Sequence, residues 1–422
     1  MKIYKILIFS ILVYCIGLNV QGQNQMRSRE FRAVKALPAK SRSGNSAMLN
    51  SLQNDTKKNA GLQLGAERMD LYLPYLKGKR VGICANQTSL VGKVHLVDTL
   101  LQLEIDIAKI FCPEHGFRGE AEAGAHISSG IDPETGLPIV SLYGNNRKPT
   151  KEQVSDLDII LFDLQDVGCR FYTYISTLHY VMEAAAENGI EVIVLDRPNP
   201  NGDYVAGPVL DTNFRSFVGM HPVPVVHGMT MAEYAQMING EGWLSGGKSC
   251  HLRCIEMTGY THRRSYSLPI SPSPNLQNDK AIRLYPSLCF FEGTAISVGR
   301  GTGYPFELYG APDFADGEYE FMPRAIKGVA ENPPYKGELC RGRDLRDEVA
   351  PQFTLRYLID AYQHYKGEEF FTNAKFFDKL AGGDSLRKMI LAGKSEEEIT
   401  GRWQAGLEKF KEIRAKYLLY AE

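Results

Sequence analysis

Between residues 81 and 195, short apolar runs alternate with stretches whose apolar residues recur at helical spacing. Residues 81–84 predict a strand, and Leu96, Val97, Leu100, Leu101 and Leu103 then fall on one face of a helix. Further strands are predicted at 105–111, 139–143, 158–162 and 190–195, with a helix over 171–188 closed by Gly189. The strands are apolar on both faces, which predicts an α/β fold with a parallel sheet covered by helices. Thr230 is a good N-cap for a helix to residue 238, and 251–257 reads as another strand. The rhythm weakens at 267–275, where three prolines predict a rigid extended segment. A domain boundary near Arg283 divides residues 63–283 from a smaller α+β domain, 284–422, with helices predicted at 355–365, 385–392 and 395–417. No repeat of about 20–50 residues is visible.

Lys2 and Lys5 precede an apolar stretch over 6–20, too short for a span of ~20 residues. It predicts a secretory signal peptide over 1–22, cleaved after Val20-Gln21-Gly22. The expected location is exported, periplasmic or cell-envelope, with no stable membrane insertion after cleavage. The bulky Tyr14 before Cys15 argues against a lipid anchor. Residues 23–62 are polar and aperiodic and read as a disordered linker.

Composition removes several classes. Of 422 residues 44% are hydrophobic, and Gly 40 with Pro 21 is ordinary usage, so collagen-like and wholly disordered chains are excluded. The 48 basic residues against 49 acidic ones create no field to gather nucleic acid, which is therefore not an expected partner. The cysteines beyond Cys15 are odd in number. Cys250 and Cys254, if on one strand, lie ~13 Å apart, beyond the ~7 Å a disulfide allows. No Cys/His cluster has zinc spacing, so the bland reading is buried small hydrophobes.

In an open parallel sheet, ligands bind beyond the carboxyl ends of the strands. Asn86, Gln87 and Thr88 follow the first strand, and Glu114, His115, Arg118 and Glu120 the second. Tyr143 ends the third; Asp163, Gln165, Asp166, Arg170 and Tyr172 follow the fourth; Asp196 to Gly202 follow the fifth. Such a ring of carboxylates, amides and arginines could grip a polyhydroxylated ligand. Asp163 could equally cap a helix and His115 fill a loop, whereas Glu114, between proline and histidine in a Gly-bounded loop, has fewer structural uses. A second constellation, Glu292 followed by Gly299-Arg300-Gly301-Thr302-Gly303, suggests a nest of N–H groups or close backbone approach to a ligand. It lacks dinucleotide-fingerprint spacing, and no phosphate loop occurs elsewhere.

The runs at 112–119, 162–174, 195–202 and 291–302 closely resemble the NamZ-type exo-β-N-acetylmuramidases, with similarity from about residue 65 onward. The resemblance implies a Rossmann-like domain joined to a smaller carboxy-terminal domain, with the active site in the cleft between them. It also implies release of terminal N-acetylmuramic acid from the non-reducing ends of peptidoglycan fragments, with no metal or organic cofactor required. Glycosidases commonly use two carboxyl groups. Glu114 is the expected acid/base; Glu292, Asp163 and Asp166 compete for the second role, Glu292 first because it enters from the other domain. Arg300, Arg170 or Arg118 could bind the lactyl carboxylate, with Asn86, Thr88, His115, Gln165, Asp166, Tyr172 and Thr302 as further substrate contacts. The rival readings are a non-catalytic sugar-binding protein of the cell envelope and a nucleotide-dependent enzyme, the latter disfavoured by the missing phosphate turn.

Overall fold

A computed structural model describes residues 61–114, 116–118 and 129–422. The expected signal peptide, the linker through residue 60, His115 and Glu120 lie outside the described residues. The chain begins its first domain with helix α1 (Met69–Leu76) and strand β1 (Val81–Ala85), followed by a small hairpin, β2 (Leu90–Val91) and β3 (Val94–His95). Helix α2 (Leu96–Gln102), β4 (Ile107–Cys112), β5 (Gly130–Ile131), β6 (Pro138–Ser141), α3 (Lys151–Val154) and β7 (Ile159–Asp163) come next. Helix α4 (Tyr174–Asn188), β8 (Glu191–Leu195), α5 (Met231–Gly240) and β9 (His251–Ile255) complete the alternation.

These strands form a seven-stranded sheet in the order β5-β6-β4-β1-β7-β8-β9, parallel except where β5 runs against β6. Numbered by chain order, the parallel strands run 3-2-1-4-5-6, the doubly wound arrangement that reverses direction between β1 and β7. Successive side chains of a strand point to opposite faces. Ile83, Ile110, Leu161 and Ile193 enter the core beneath α1 and α2, while Cys84, Phe111, Phe162 and Val194 enter the opposite core with α4 and α5. That second core continues without a break into the carboxy-terminal domain, through Phe290, Phe306, Tyr309 and Phe377. Six of the seven described cysteines are buried and all seven are unpaired thiols, including Cys250 and Cys254 on β9.

Helix α6 (Asp279–Leu288), which the sequence reading missed, leads into the second domain and carries Arg283. It contains Pro286, whose missing N–H leaves the Ile282 carbonyl free. Asn201 Nδ2 takes that carbonyl at 3.2 Å. Strands β10 (Leu308–Ala311), β11 (Tyr319–Phe321) and β12 (Cys340–Asp344) form an antiparallel sheet in the order β10-β12-β11. Helices α7 (Arg356–His364), α8 (Ala374–Ala381), α9 (Ser385–Leu391), α10 (Glu396–Gly401) and α11 (Gln404–Arg414) follow.

Two helix expectations are corrected. The helix expected over 395–417 is two helices, because Arg402 and Trp403 donate to carbonyls three residues back and Trp403 turns into the core. The helix expected from 171 starts at Tyr174, leaving 171–173 as a loop. Helix α8 was also missed, although Asn373 caps it and Gly382, in the left-handed region, ends it. The last residues then return to the first domain. Arg414 donates to the Gly228 carbonyl, Leu419 N–H to Glu233, and Tyr420 hydroxyl to Asp196 at 2.6 Å.

Candidate active site

A cavity of about 590 Å³ opens where the carboxyl ends of β4, β6 and β7 meet the second domain. The first domain contributes Glu114, Tyr143, Arg147, the loop Phe171-Tyr172-Thr173 and Tyr174, the first residue of α4. The second contributes Glu292, Arg300, Phe306 and Asn332. Of the residues singled out from sequence as site candidates, Glu114, Glu292, Tyr172 and Arg300 therefore share one cavity. The extended proline segment also reaches it through Ser273.

Glu114 stands two residues beyond β4, where Pro113 ends the ladder. Its Oε2 accepts a hydrogen bond from Thr173 Oγ1 at 3.2 Å. Burial first, then the charge of Glu114 and a hydrogen bond to it, push the Tyr143 phenol above its ordinary value, and Glu292 adds to the effect. Tyr143 therefore remains a neutral donor beside Glu114 and feels both carboxylates. Behind it, Asn86 donates to Tyr174 at 2.8 Å and Tyr172 donates to the Pro272 carbonyl at 2.8 Å, fixing two rings of the aromatic wall. Tyr285 meets Phe171 and Phe306 edge to face at 5.3 and 5.1 Å.

Glu292 lies in a single 3-10 turn after α6. Its Oε1 accepts from Arg300 Nε at 3.1 Å and Nη2 at 2.5 Å, and the Arg300 guanidinium lies 5.1 Å from the Phe306 ring centroid. The glycines beside Arg300 aim it rather than form an anion nest. Gly299 and Gly301 have φ of +77° and +81°, a region that favours glycine. The Gly299 N–H is taken by Ser297 Oγ, while Thr302 closes the turn onto the Gly299 carbonyl at 2.7 Å. Cys289 also lines the cavity, but burial, followed by the charge of Glu292, raises its thiol well above the ordinary value, so no thiolate nucleophile forms there.

The other described candidates lie outside this cavity. Asp163 is fully buried and receives Arg197 Nε at 2.5 Å and Nη2 at 2.9 Å. This pair and the Ser89 hydroxyl on the Asp163 carbonyl fill the crevice between β1 and β7, the place where a doubly wound sheet would take a nucleotide. Thr88 bonds Asn86 Oδ1 at 2.6 Å, and Gln165 Nε2 spans the Asp166 and Pro198 carbonyls. Arg170 is wholly buried and donates to the Pro208, Val223 and Leu380 carbonyls, which ties α8 to the first domain. Burial lowers its guanidinium to about 9. Arg118 holds Asp132 through two bonds, at 3.2 and 2.8 Å. Asp166 accepts from the Gly168 N–H at 2.6 Å, while its buried Oδ2 has no partner among the described residues. Burial pushes this carboxyl up to about 7. Among the described residues no three His, Cys, Asp or Glu side chains converge as a metal site requires.

Sequence reasoning did not select Arg147, Thr173 or Tyr285 as ligand contacts. Thr173 stood within the run 162–174; Arg147, in a polar turn, carried no signal.

Comparison with known proteins agrees along the chain. The family described as exo-beta-N-acetylmuramidase NamZ, N-terminal, matches residues 81–280, and its C-terminal counterpart matches 283–420. The chain is 39% identical over 393 residues to the peptidoglycan beta-N-acetylmuramidase NamZ of Bacillus subtilis (strain 168), covering 87% of this chain and 94% of that one. Two crystal structures of DUF1343 family proteins from Bacteroides fragilis NCTC 9343 are similar. One is 46% identical with a TM-score of 0.79, covering 86% of this chain and 99% of that one. The other is 28% identical with a TM-score of 0.74, covering 85% and 99%.

Proposed function

The chain belongs to the NamZ family of exo-β-N-acetylmuramidases, and on that premise we propose that its cleft releases terminal β-linked N-acetylmuramic acid from the non-reducing ends of peptidoglycan fragments. The observation that carries this reading is the meeting of Glu114 and Glu292, one from each domain, on one cavity. Its volume of about 590 Å³ suits a substituted sugar, since small-molecule sites span ~300–1,000 Å³.

Glu114 gives its proton to the glycosidic oxygen as the bond to the anomeric carbon breaks. Glu292 faces the developing oxocarbenium ion as the second carboxylate. It acts as nucleophile if the two groups stand ~5–5.5 Å apart in the complex, or as base for water at ~6.5–9.5 Å. In either course the oxygen of water ends on the anomeric carbon and its proton on a carboxylate. The aromatic wall excludes water and offers flat surfaces to the apolar faces of the sugar.

The test is hydrolysis of a chromogenic N-acetylmuramide beside its N-acetylglucosaminide counterpart. Release from the muramide supports the reading; binding without release from either glycoside would favour a sugar-binding role. The reading also places the protein in the periplasm or cell envelope, where peptidoglycan lies. Lys2, Lys5 and the apolar stretch 6–20 support this as a cleaved signal peptide. No helix among the described residues is long and apolar enough to cross a membrane.

A further inference from the structure

The cavity holds two guanidinium groups in different states. Arg300 is paired with Glu292. Arg147 lies beyond β6, four residues after Tyr143, and among the described residues no Asp or Glu comes within ion-pair distance of it. Its guanidinium carbon instead lies 4.6 Å from the centroid of Phe217, which also lines the cavity. Phe217 is fixed in turn: its carbonyl accepts from Ser176 Oγ at 2.7 Å, and its ring stacks on Tyr180 at 14°. An arginine laid on a ring keeps its charge and its forked donors while losing orientational freedom.

The position of this charge matters. Arg147 opposes the upward push that Glu114 exerts on the Tyr143 phenol, so both charges bear on the same group at the Glu114 side of the cavity. Arg300 is already engaged by Glu292, so an anionic substrate group placed at the Glu114 side of the cavity needs a second cation within reach. Arg147 is that cation. Arg118 and Arg170, each held by its own partners outside the cavity, are not.

We infer that Arg147 binds the lactyl carboxylate of N-acetylmuramic acid and so sets the preference for this sugar over N-acetylglucosamine, which lacks that group. The inference rests on the muramidase reading of the same cleft. Two N–H donors of a guanidinium match the two oxygens of a carboxylate. Arg147 is exposed, so the contribution is discounted for solvent screening.

The experiment compares kcat/KM for a chromogenic N-acetylmuramide and N-acetylglucosaminide in the parent, Arg147→Ala and Arg147→Lys proteins. Arg147→Ala should lower the muramide value about tenfold, mainly through KM because the contact is present before and during reaction, and leave the glucosaminide value nearly unchanged. Arg147→Lys should recover part of the loss by retaining the charge without the fork. Added salt should shrink the parent's muramide preference and leave that of Arg147→Ala little altered. An unchanged ratio in Arg147→Ala, or equal loss on both glycosides, overturns the inference while leaving the muramidase reading in place. A parent that cleaves neither glycoside overturns that reading and the inference with it.

Discussion

Both hydrogen bonds from Arg300 to Glu292 fall on one oxygen, Oε1, at 3.1 and 2.5 Å. The two residues belong to the same turn region and present the second carboxylate to the cavity as a unit. Arg300→Ala should therefore free Glu292 to reorient. We expect kcat to fall by about 10–100-fold on muramide and glucosaminide alike, with their ratio preserved, because misplaced catalytic geometry costs roughly this much. A selective loss on the muramide would return Arg300 to the role of carboxylate reader.

Glu114→Gln keeps the shape and the acceptor for Thr173 but cannot transfer a proton. Turnover should fall by ~10²–10⁴-fold while KM stays near that of the parent. Single-turnover kinetics with the chromogenic muramide check this, and undiminished turnover removes Glu114 from the mechanism.

The Asp163–Arg197 pair predicts a stability effect. Removing one partner of a buried ion pair leaves an uncompensated charge, a loss of about 3–5 kcal/mol. Asp163→Ala should unfold at clearly lower urea concentration, and the double variant Asp163→Leu, Arg197→Met should recover much of the loss. If Asp163→Ala instead melted like the parent yet lost all turnover, Asp163 would belong in the chemistry.

A pH dependence follows from Asp166. Burial pushes its carboxyl up to about 7 in the folded chain, against an unfolded value of ~3.9, so the fold favours the protonated form. The stability tied to this group is fully present below about pH 4 and is lost as pH rises through about 7. Relative to the parent, Asp166→Asn should gain stability over that window, by an amount on the order of 4 kcal/mol at its upper end. Urea titrations at several pH values measure the difference; parallel curves would mean that water or rearrangement already relieves Asp166.

Amino-terminal sequencing of the protein from its native host should begin near Gln23, as export with cleavage after Gly22 requires. An intact Met1 on cytosolic protein would contradict the proposed location.

The sheet was legible because its central strands β1, β7 and β8 are buried on both faces. Residues 81–84, 158–162 and 190–195 are apolar runs whose meaning hardly depends on the rest of the chain. Glu114 stood out because proline and glycine bounded it at a strand end. The fates of Asp163 and Arg170 were not legible, because strand-end polarity shows where charged groups lie and not which neighbours will satisfy them. Asp163 meets Arg197, 34 residues away, while Arg170 finds three main-chain carbonyls, one of them 210 residues away. Arg147 was hidden for the opposite reason. Its surroundings, Gly144-Asn145-Asn146, read as any solvated turn, and only the fold brings Phe217 beneath it. Helix α6 was obscured by Pro286, whose cost is relieved by Asn201 from a distant turn.

The return of residues 414–422 to the first domain bears on how the cleft admits a sugar chain. Polypeptide joins the domains along α6, and Arg414, Leu419 and Tyr420 stitch them again on the face formed by Gly228, Glu233 and Asp196. Arg170 on the Leu380 carbonyl and the core shared by both domains add further ties, and all of them oppose a wide swing about a single hinge. The opening is therefore expected to keep its width as a sugar enters, more a keyhole than a jaw.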